Sequence, residues 1–258
     1  MKKIFVIARK EFESCFHSWL GVLMGTLFFL VAGAFFTILV LDYARISADP
    51  QQLGPNNTLG IDPTQFIFGS FFTNLSLILV FLVPLLTMRS FAEERRQETL
   101  ELLFTYPLSD FEIAAGKMLG VIWFFELLIV PLLGYPVLFH WIGGSFDGGP
   151  VILGFFGFWL LGISYLAVGV FVSSLTRSPI ISALGTFGIL AVFCISDWVQ
   201  NVSDGPWGRF FTSISPLGHY RHLTLGILDM RDVVFFGFFT LYFLFLVIRS
   251  IEMRNWKT

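Results

Sequence analysis

The sequence predicts an all-α integral membrane protein with six transmembrane helices, and three observations lead to that fold class. Charged residues make up 13% of the 258 residues and apolar residues 55%, whereas an ordinary soluble domain carries about 25% charge. Six stretches are long and nearly free of charge, close to the roughly 20 residues that a helix needs to cross the hydrocarbon core. Their uninterrupted length also contradicts the alternation that a membrane barrel requires. Net charge is −2, which leaves no electrostatic footprint for a nucleic-acid partner.

The spans are expected at about 19–41, 63–88, 113–141, 151–175, 179–199 and 232–250, in one transmembrane domain over 1–258. The last two are short and need flanking residues or thinner lipid to complete a crossing. Trp19, Trp141 and Trp198 fall at span borders, the headgroup level that amphipathic rings prefer. With both termini cytoplasmic, twelve of the 16 Lys and Arg residues lie inside, and Arg45, Arg209, Arg221 and Arg231 lie outside. That is the expected positive-inside bias. It is weakest in the outer loop 200–231, for which a re-entrant path is open.

Ahead of the first span, Ile4, Ala8, Phe12, Cys15, Phe16 and Trp19 recur at intervals of three and four, with Lys2, Lys3, Arg9, Lys10 and Glu13 largely elsewhere. The pattern predicts an interfacial amphipathic helix over 1–18. The first outer loop, 42–62, carries turn signals at Gly54-Pro55 and Asp62-Pro63 and reads as irregular.

Between the second and third spans lies a charge-rich stretch, 89–107. Wound at about 100° per residue, it places Glu94, Glu98 and Glu101 in one acidic stripe. Tyr106-Pro107 stops the helix, because the residue before proline is driven out of the helical region. Ser109 and Glu112 have the spacing of a capping box opening the third span.

Inside the spans Glu126 is the one deeply placed acid, costly unless paired or hydrogen-bonded. It is either a residue of the substrate path or a structural contact between helices. His219 and His222 are three apart and offer at most two metal ligands, with packing the better reading. The two cysteines, Cys15 and Cys194, have neither a metal spacing nor a disulfide framework. No metal site and no catalytic residue is expected. A rhomboid-like protease would want Gly-x-Ser-x-Gly, and the nearest match, at Gly162, lacks the closing Gly. His-Glu-x-x-His is absent.

The string FAEERRQETLELLFTYPLS (91–109), followed by EIAAGK (112–117), resembles the cytoplasmic signature of ABC-2 type transporter permeases. IARKEF (7–12) is similar to that family's N-terminal helix. SPLGH (215–219) with GILDMRDV (226–233) resembles its late outer loop. The nearest subgroup is that of the short permeases of gliding-motility and nitrous-oxide-reductase-maturation transporters.

The resemblance implies a permease in the cytoplasmic (inner) membrane, two such subunits side by side, either two copies or a copy beside a paralogue, and two separate ABC ATPase subunits beneath. ATP and Mg would bind those ATPases, and this chain would hold no cofactor. It implies that 89–107 is a coupling helix touching the ATPase, through Arg89, Glu93, Glu94, Arg95, Arg96, Glu98, Thr99, Glu101, Tyr106 and Pro107. The outer-loop motif would be Ser215, Pro216, His219, Gly226, Asp229 and Asp232. ATP hydrolysis is not expected here. In the only Gly-Lys pair, Gly116-Lys117, Met118 replaces the hydroxyl residue of a phosphate loop and Phe111 replaces its first Gly. A scaffold that no longer transports remains the alternative, and an intramembrane enzyme a more distant one.

Overall fold

The computed structural model describes residues 2–48, 62–99, 108–200 and 215–255, with the side chains of 197–200 and 254–255 left aside. Within these residues every regular element is helical. Six helical units are long and apolar enough to cross a membrane: Trp19–Ala48, Thr64–Arg96, Asp110–Trp141, Gly148–Leu175, Pro179–Ser196 and Met230–Met253. The protein is therefore a multi-pass helical membrane protein, as its charge-poor stretches require.

Helix α1 (Lys2–Phe16) turns at His17 and Ser18 into α2 (Trp19–Ala48). Residues 42–48 continue α2 rather than open an irregular loop, and Asp42 and Arg45 pair at 3.7 Å one turn apart on it. The turn signals expected to break the chain begin only at Gly54, which lies outside the described residues along with the rest of 49–61. The second unit opens as a π-helical turn, Thr64–Gly69, and continues as α3 (Ser70–Thr87) with Pro84 inside it. A short α4 (Ala92–Arg96) follows.

Helix α5 (Asp110–Ile129) begins at the capping box read from the sequence: Glu112 N donates to Ser109 Oγ at 3.2 Å, and Ser109 N donates to Glu112 Oε2 at 3.0 Å. The third unit is not one continuous helix. Pro131 has no N–H and its ring crowds the preceding turn, so the chain tightens into a 3₁₀ turn, Val130–Leu133, before α6 (Gly134–Trp141). Asp147 caps α7 (Gly148–Leu175) by accepting from Gly149 N at 3.0 Å. Helices α8 (Pro179–Gln200), α9 (Pro216–Thr224) and α10 (Met230–Asn255) complete the chain. Trp19 and Trp141 are largely exposed.

The core forms around α7, of whose most apolar window 72% is buried, against 22% for α2 and for the last unit. Phe125, Phe158, Leu161 and Tyr165 are fully buried within it. Where lipid removes most of the hydrophobic drive between helices, packing and hydrogen bonds hold them. The Ser164 and Thr240 hydroxyls lie 3.2 Å apart between α7 and α10, and Ser250 Oγ donates to Ser174 O at 3.3 Å.

Helix α9 is inserted among α3, α7 and α8. The buried Tyr220 donates its hydroxyl to Phe72 O at 3.1 Å, and a Cβ on Gly157 would meet Leu223 Cβ at 2.9 Å. Phe72 lies eight residues and Gly157 nine residues after the first residue of its unit, about 12–14 Å along the axis at 1.5 Å per residue.

Candidate functional site

The segment after α3 is fixed at three points. Its start is held by Ser173 of α7, whose hydroxyl accepts from Phe91 N at 3.0 Å and Ala92 N at 3.2 Å and donates to Met88 O at 3.3 Å. Those amides have no partner within their own helix, so a hydroxyl from a distant span caps α4.

The end of α4 corrects the expectation of one helix over 89–107. Glu98 has φ +58°, Glu98 N donates to Arg95 O at 3.3 Å, and Thr99 N donates to Glu94 O at 3.0 Å. This pair of bonds around a left-handed residue is the Schellman arrangement that terminates helices. The helix stops at Arg96, so Glu98 does not share a helical face with Glu94. Glu98 is exposed beyond the helix end, with Arg96 and Thr99 exposed beside it. Glu101, Tyr106 and Pro107 lie outside the described residues.

The third point is Glu94, which turns inward instead of presenting its charge. Its carboxylate lies 2.8 Å from Lys117 Nζ and 3.0 Å from Lys10 Nζ. Lys117, 1% exposed, also lies 3.2 Å from Glu11 Oε2, donates to Ser90 O, and stands 4.9 Å over the Phe91 ring. Of the three N–H donors of the ammonium, Glu11 and Ser90 O each accept one, and the Glu94 carboxylate stands beside it as an ion pair. Two cations against two carboxylates make the node neutral, the condition under which buried charge is tolerable. It ties together α1, α4 and α5.

Close packing brings α1 to that node. A Cβ on Gly120 would lie 2.5 Å from Glu11 Cβ and 2.6 Å from Ala8 O, and one on Gly116 would lie 2.7 Å from Ile7 Cβ. Two glycines one turn apart thus let α1 lie on α5. Phe5 meets Trp123 edge-on at 5.0 Å. The buried face of α1 includes Glu11 as well as Ala8, whereas Phe5, Val6 and Phe16 are exposed apolar groups.

Of the other expected residues, Arg89 donates to Ser18 Oγ at 2.9 Å and pairs with Glu93 at 3.4 Å, and Arg95 is buried. Glu126 is half-buried on α5, and no ion-pair partner meets it among the described residues. At the far end of the bundle, buried Asp232 accepts from His219 Nδ1 at 2.6 Å and His222 Nδ1 at 3.1 Å, and His219 stacks on Phe235 at 4.1 Å. Both histidines thereby clamp α9 onto α10. Ser215 Oγ donates to Phe193 O at 3.2 Å and Pro216 opens α9. Gly226 has φ +80°, and Asp229 accepts from Arg231 N at 2.9 Å at the start of α10. No group of three or more His, Cys, Asp or Glu among the described residues is placed to hold a metal.

Lys10, Glu11, Lys117 and Ser173 are the site residues that sequence reasoning passes over. Only a lysine at the threshold of a charge-free span hinted at any of them.

Residues 5–251 match the family described as ABC-2 family transporter protein. The chain is also similar to the "Probable multidrug ABC transporter permease YbhR" of Escherichia coli strain K12, with 28% identity over 149 residues, 55% of this chain and 38% of that protein. The protein of the same name from Escherichia coli O157:H7 gives the same values. The alignment thus spans well under half the length of these curated relatives. The match over nearly the whole chain, on six apolar helical units, identifies it as a membrane-spanning member of the ABC-2 family of transporter proteins.

Proposed function

We propose that the chain is the transmembrane permease subunit of an ABC-2 type transporter, energised by ATP hydrolysis on two separate ABC ATPase subunits. The observation that carries this reading is the family match over residues 5–251. Two permease subunits, either two copies or one copy with a paralogue, form the translocation path between them in the cytoplasmic membrane, with both termini cytoplasmic. ATP and Mg bind the partner ATPases.

The ATPase touches the exposed edge of the 89–99 segment at Arg96, Glu98 and Thr99. Movement of that edge passes through Glu94 and Lys117 into α1 and α5. The geometry supports this route because the segment is fastened to three other helices and is therefore no free loop. Helix α9, the described helix within 200–231, is an outer, re-entrant element, supported by the depth at which Tyr220 and Leu223 pack. Transport runs outward. The name of the curated relatives supports lipophilic small molecules as the first substrates to test.

The test is affinity purification of the full chain from its native membrane, followed by ATP-driven flux of a lipophilic fluorescent dye in inverted vesicles. The expected result is a co-purifying polypeptide with a phosphate-binding loop and dye uptake that needs ATP. Glu98→Lys should keep the assembly and lower ATP-driven flux at least tenfold. Co-purification with no ATP-dependent flux across a panel of such dyes would favour the non-transporting scaffold. Absence of any ATPase partner would sink both the coupling role and the permease reading.

A further inference from the structure

We propose that the cleft between the α1–α2 elbow and the 85–99 segment binds one zwitterionic, amine-bearing phospholipid, its phosphate at Arg89 and Lys10 and its amine at Glu93. The cleft has a volume of about 700 Å³. Its inner part is apolar, formed by Met24 near the start of the first span and by Leu85 and Leu86 near the end of the second. Those residues belong to helical units of bilayer-spanning length, so the floor lies where acyl chains lie. The polar rim is formed by Lys10, Arg89 and Glu93, and Trp19 also lines the cleft.

Charge selects the headgroup. Among side chains charged at any physiological pH, Lys10, Arg89 and the Lys117 beneath stand against Glu11, Glu93 and Glu94. The sum is zero, so a net anion gains no overall attraction there, whereas a ligand carrying both signs matches the two ends of the rim. Lys117 and Lys10 together balance Glu11 and Glu94 at the buried node. Arg89 uses its guanidinium on Ser18 and Glu93 but has five N–H donors, and Lys10 is 63% exposed. Both retain donors for a phosphate.

Ser90 supplies a second, independent sign. It lines the cleft and is 2% exposed, and its hydroxyl meets no hydrogen-bond partner among the described residues. A buried hydroxyl left unpaired is unfavourable, and a lipid phosphate oxygen satisfies it. An amine headgroup with N–H donors can bond the Glu93 carboxylate, which a quaternary ammonium cannot. The preference is therefore for an ethanolamine-type head over a choline-type one.

The experiment uses the full chain purified in mild detergent, delipidated and offered phosphatidylethanolamine, phosphatidylcholine or phosphatidylglycerol, with bound lipid counted by native mass spectrometry. The expected result is one phosphatidylethanolamine per chain, held at least tenfold better than the other two and not displaced by millimolar inorganic phosphate. Glu93→Gln should erase the preference over choline, and Arg89→Ala with Ser90→Ala should lower retention at least tenfold. Met24→Trp fills the apolar floor without touching a charge and should expel the lipid while leaving the chain monodisperse. Equal retention of phosphatidylglycerol, displacement by free phosphate, or a Met24→Trp chain that still holds its lipid would each overturn the proposal. None of these readouts depends on the ATPase, so a failure here leaves the permease reading standing.

Discussion

Lys117 Nζ lies 2.8 Å from the Glu94 carboxylate, joining the first turns of the third apolar unit to the last helical turn of the second. Removing one partner of a buried ion pair leaves an uncompensated charge and costs about 3–5 kcal/mol. Lys117→Met is therefore expected to lower thermal stability strongly, because Glu11 loses its cation while Glu94 keeps Lys10. Adding Glu11→Leu to Lys117→Met should restore part of that loss, since an apolar pair replaces the orphaned carboxylate. Thermal unfolding of the purified chain checks both, and a Lys117→Met chain as stable as wild type would deny the node its structural weight.

Ser173 makes a narrower prediction. Its hydroxyl is the acceptor for two amides that have no helical partner. Ser173→Ala should cost about 1–2 kcal/mol, in the range for a lost helix cap, and the effect should be local. Amide hydrogen exchange at Phe91 and Ala92 should speed up while exchange in the middle of α7 stays slow. Equal acceleration in both places would mean that Ser173 supports the whole bundle and not the segment.

The spans were legible because the hydrocarbon core imposes a length and a polarity that no soluble contact imitates. The capping box at Ser109 was legible because its donors and acceptors lie within four residues. The node was not, because Lys117 meets Glu11 across 106 residues of sequence. Alone, that lysine reads as another inside-facing charge. The end of α4 was hidden for a different reason. Periodicity continues through Glu98, and nothing in a glutamate announces a left-handed backbone of φ +58°. The tertiary pull of Lys117 on Glu94 overrode the surface stripe that local spacing suggested. At Pro131 the missing N–H explains the interruption by a 3₁₀ turn, although 113–141 reads in the sequence as one span.

Packing of α1 on α5 depends on Gly120, and a contrast within the chain makes the test specific. Gly120→Ala brings a methyl to within 2.6 Å of the Ala8 carbonyl oxygen, a backbone atom that cannot swing aside. Gly188→Ala meets nothing within 4 Å. It should gain about 0.5–1 kcal/mol, the ordinary advantage of Ala over Gly inside a helix. Thermal unfolding is expected to move in opposite directions for the two. Stabilisation by Gly120→Ala would show that α1 is not docked as closely as the geometry states.

Glu126 offers a choice between a path residue and a structural contact. A carboxyl group within a span and without a cation beside it is costly, and no cation meets it among the described residues. Glu126→Gln keeps the hydrogen-bonding end of the side chain, and Glu126→Leu removes it. For a structural contact with another subunit, the first should leave oligomeric state and ATP-driven flux unchanged. The second should shift the chain toward monomer in light-scattering measurements. A loss of flux in Glu126→Gln with the oligomer intact would instead place the residue in the path.

Cys15 reports on the same helix pair through its ionisation. Burial, and then the Glu11 carboxylate, push its thiol from 9.0 up to about 12. Only the thiolate reacts with an alkylating reagent, so the wild-type rate should climb about tenfold per pH unit from pH 7 to 10.5 without levelling near 9. A Cys194→Ser background leaves Cys15 as the single thiol to follow. Bringing a bulky group into the seam, as in Gly120→Leu, separates α1 from α5 and returns the thiol toward its ordinary value. The rate at pH 8 should then rise by two orders of magnitude or more, with a plateau appearing near pH 9. If Gly120→Leu leaves the steep wild-type profile untouched, the burial of Cys15 does not depend on the docking of α1, and the close approach at Gly120 is not what holds the helix in place.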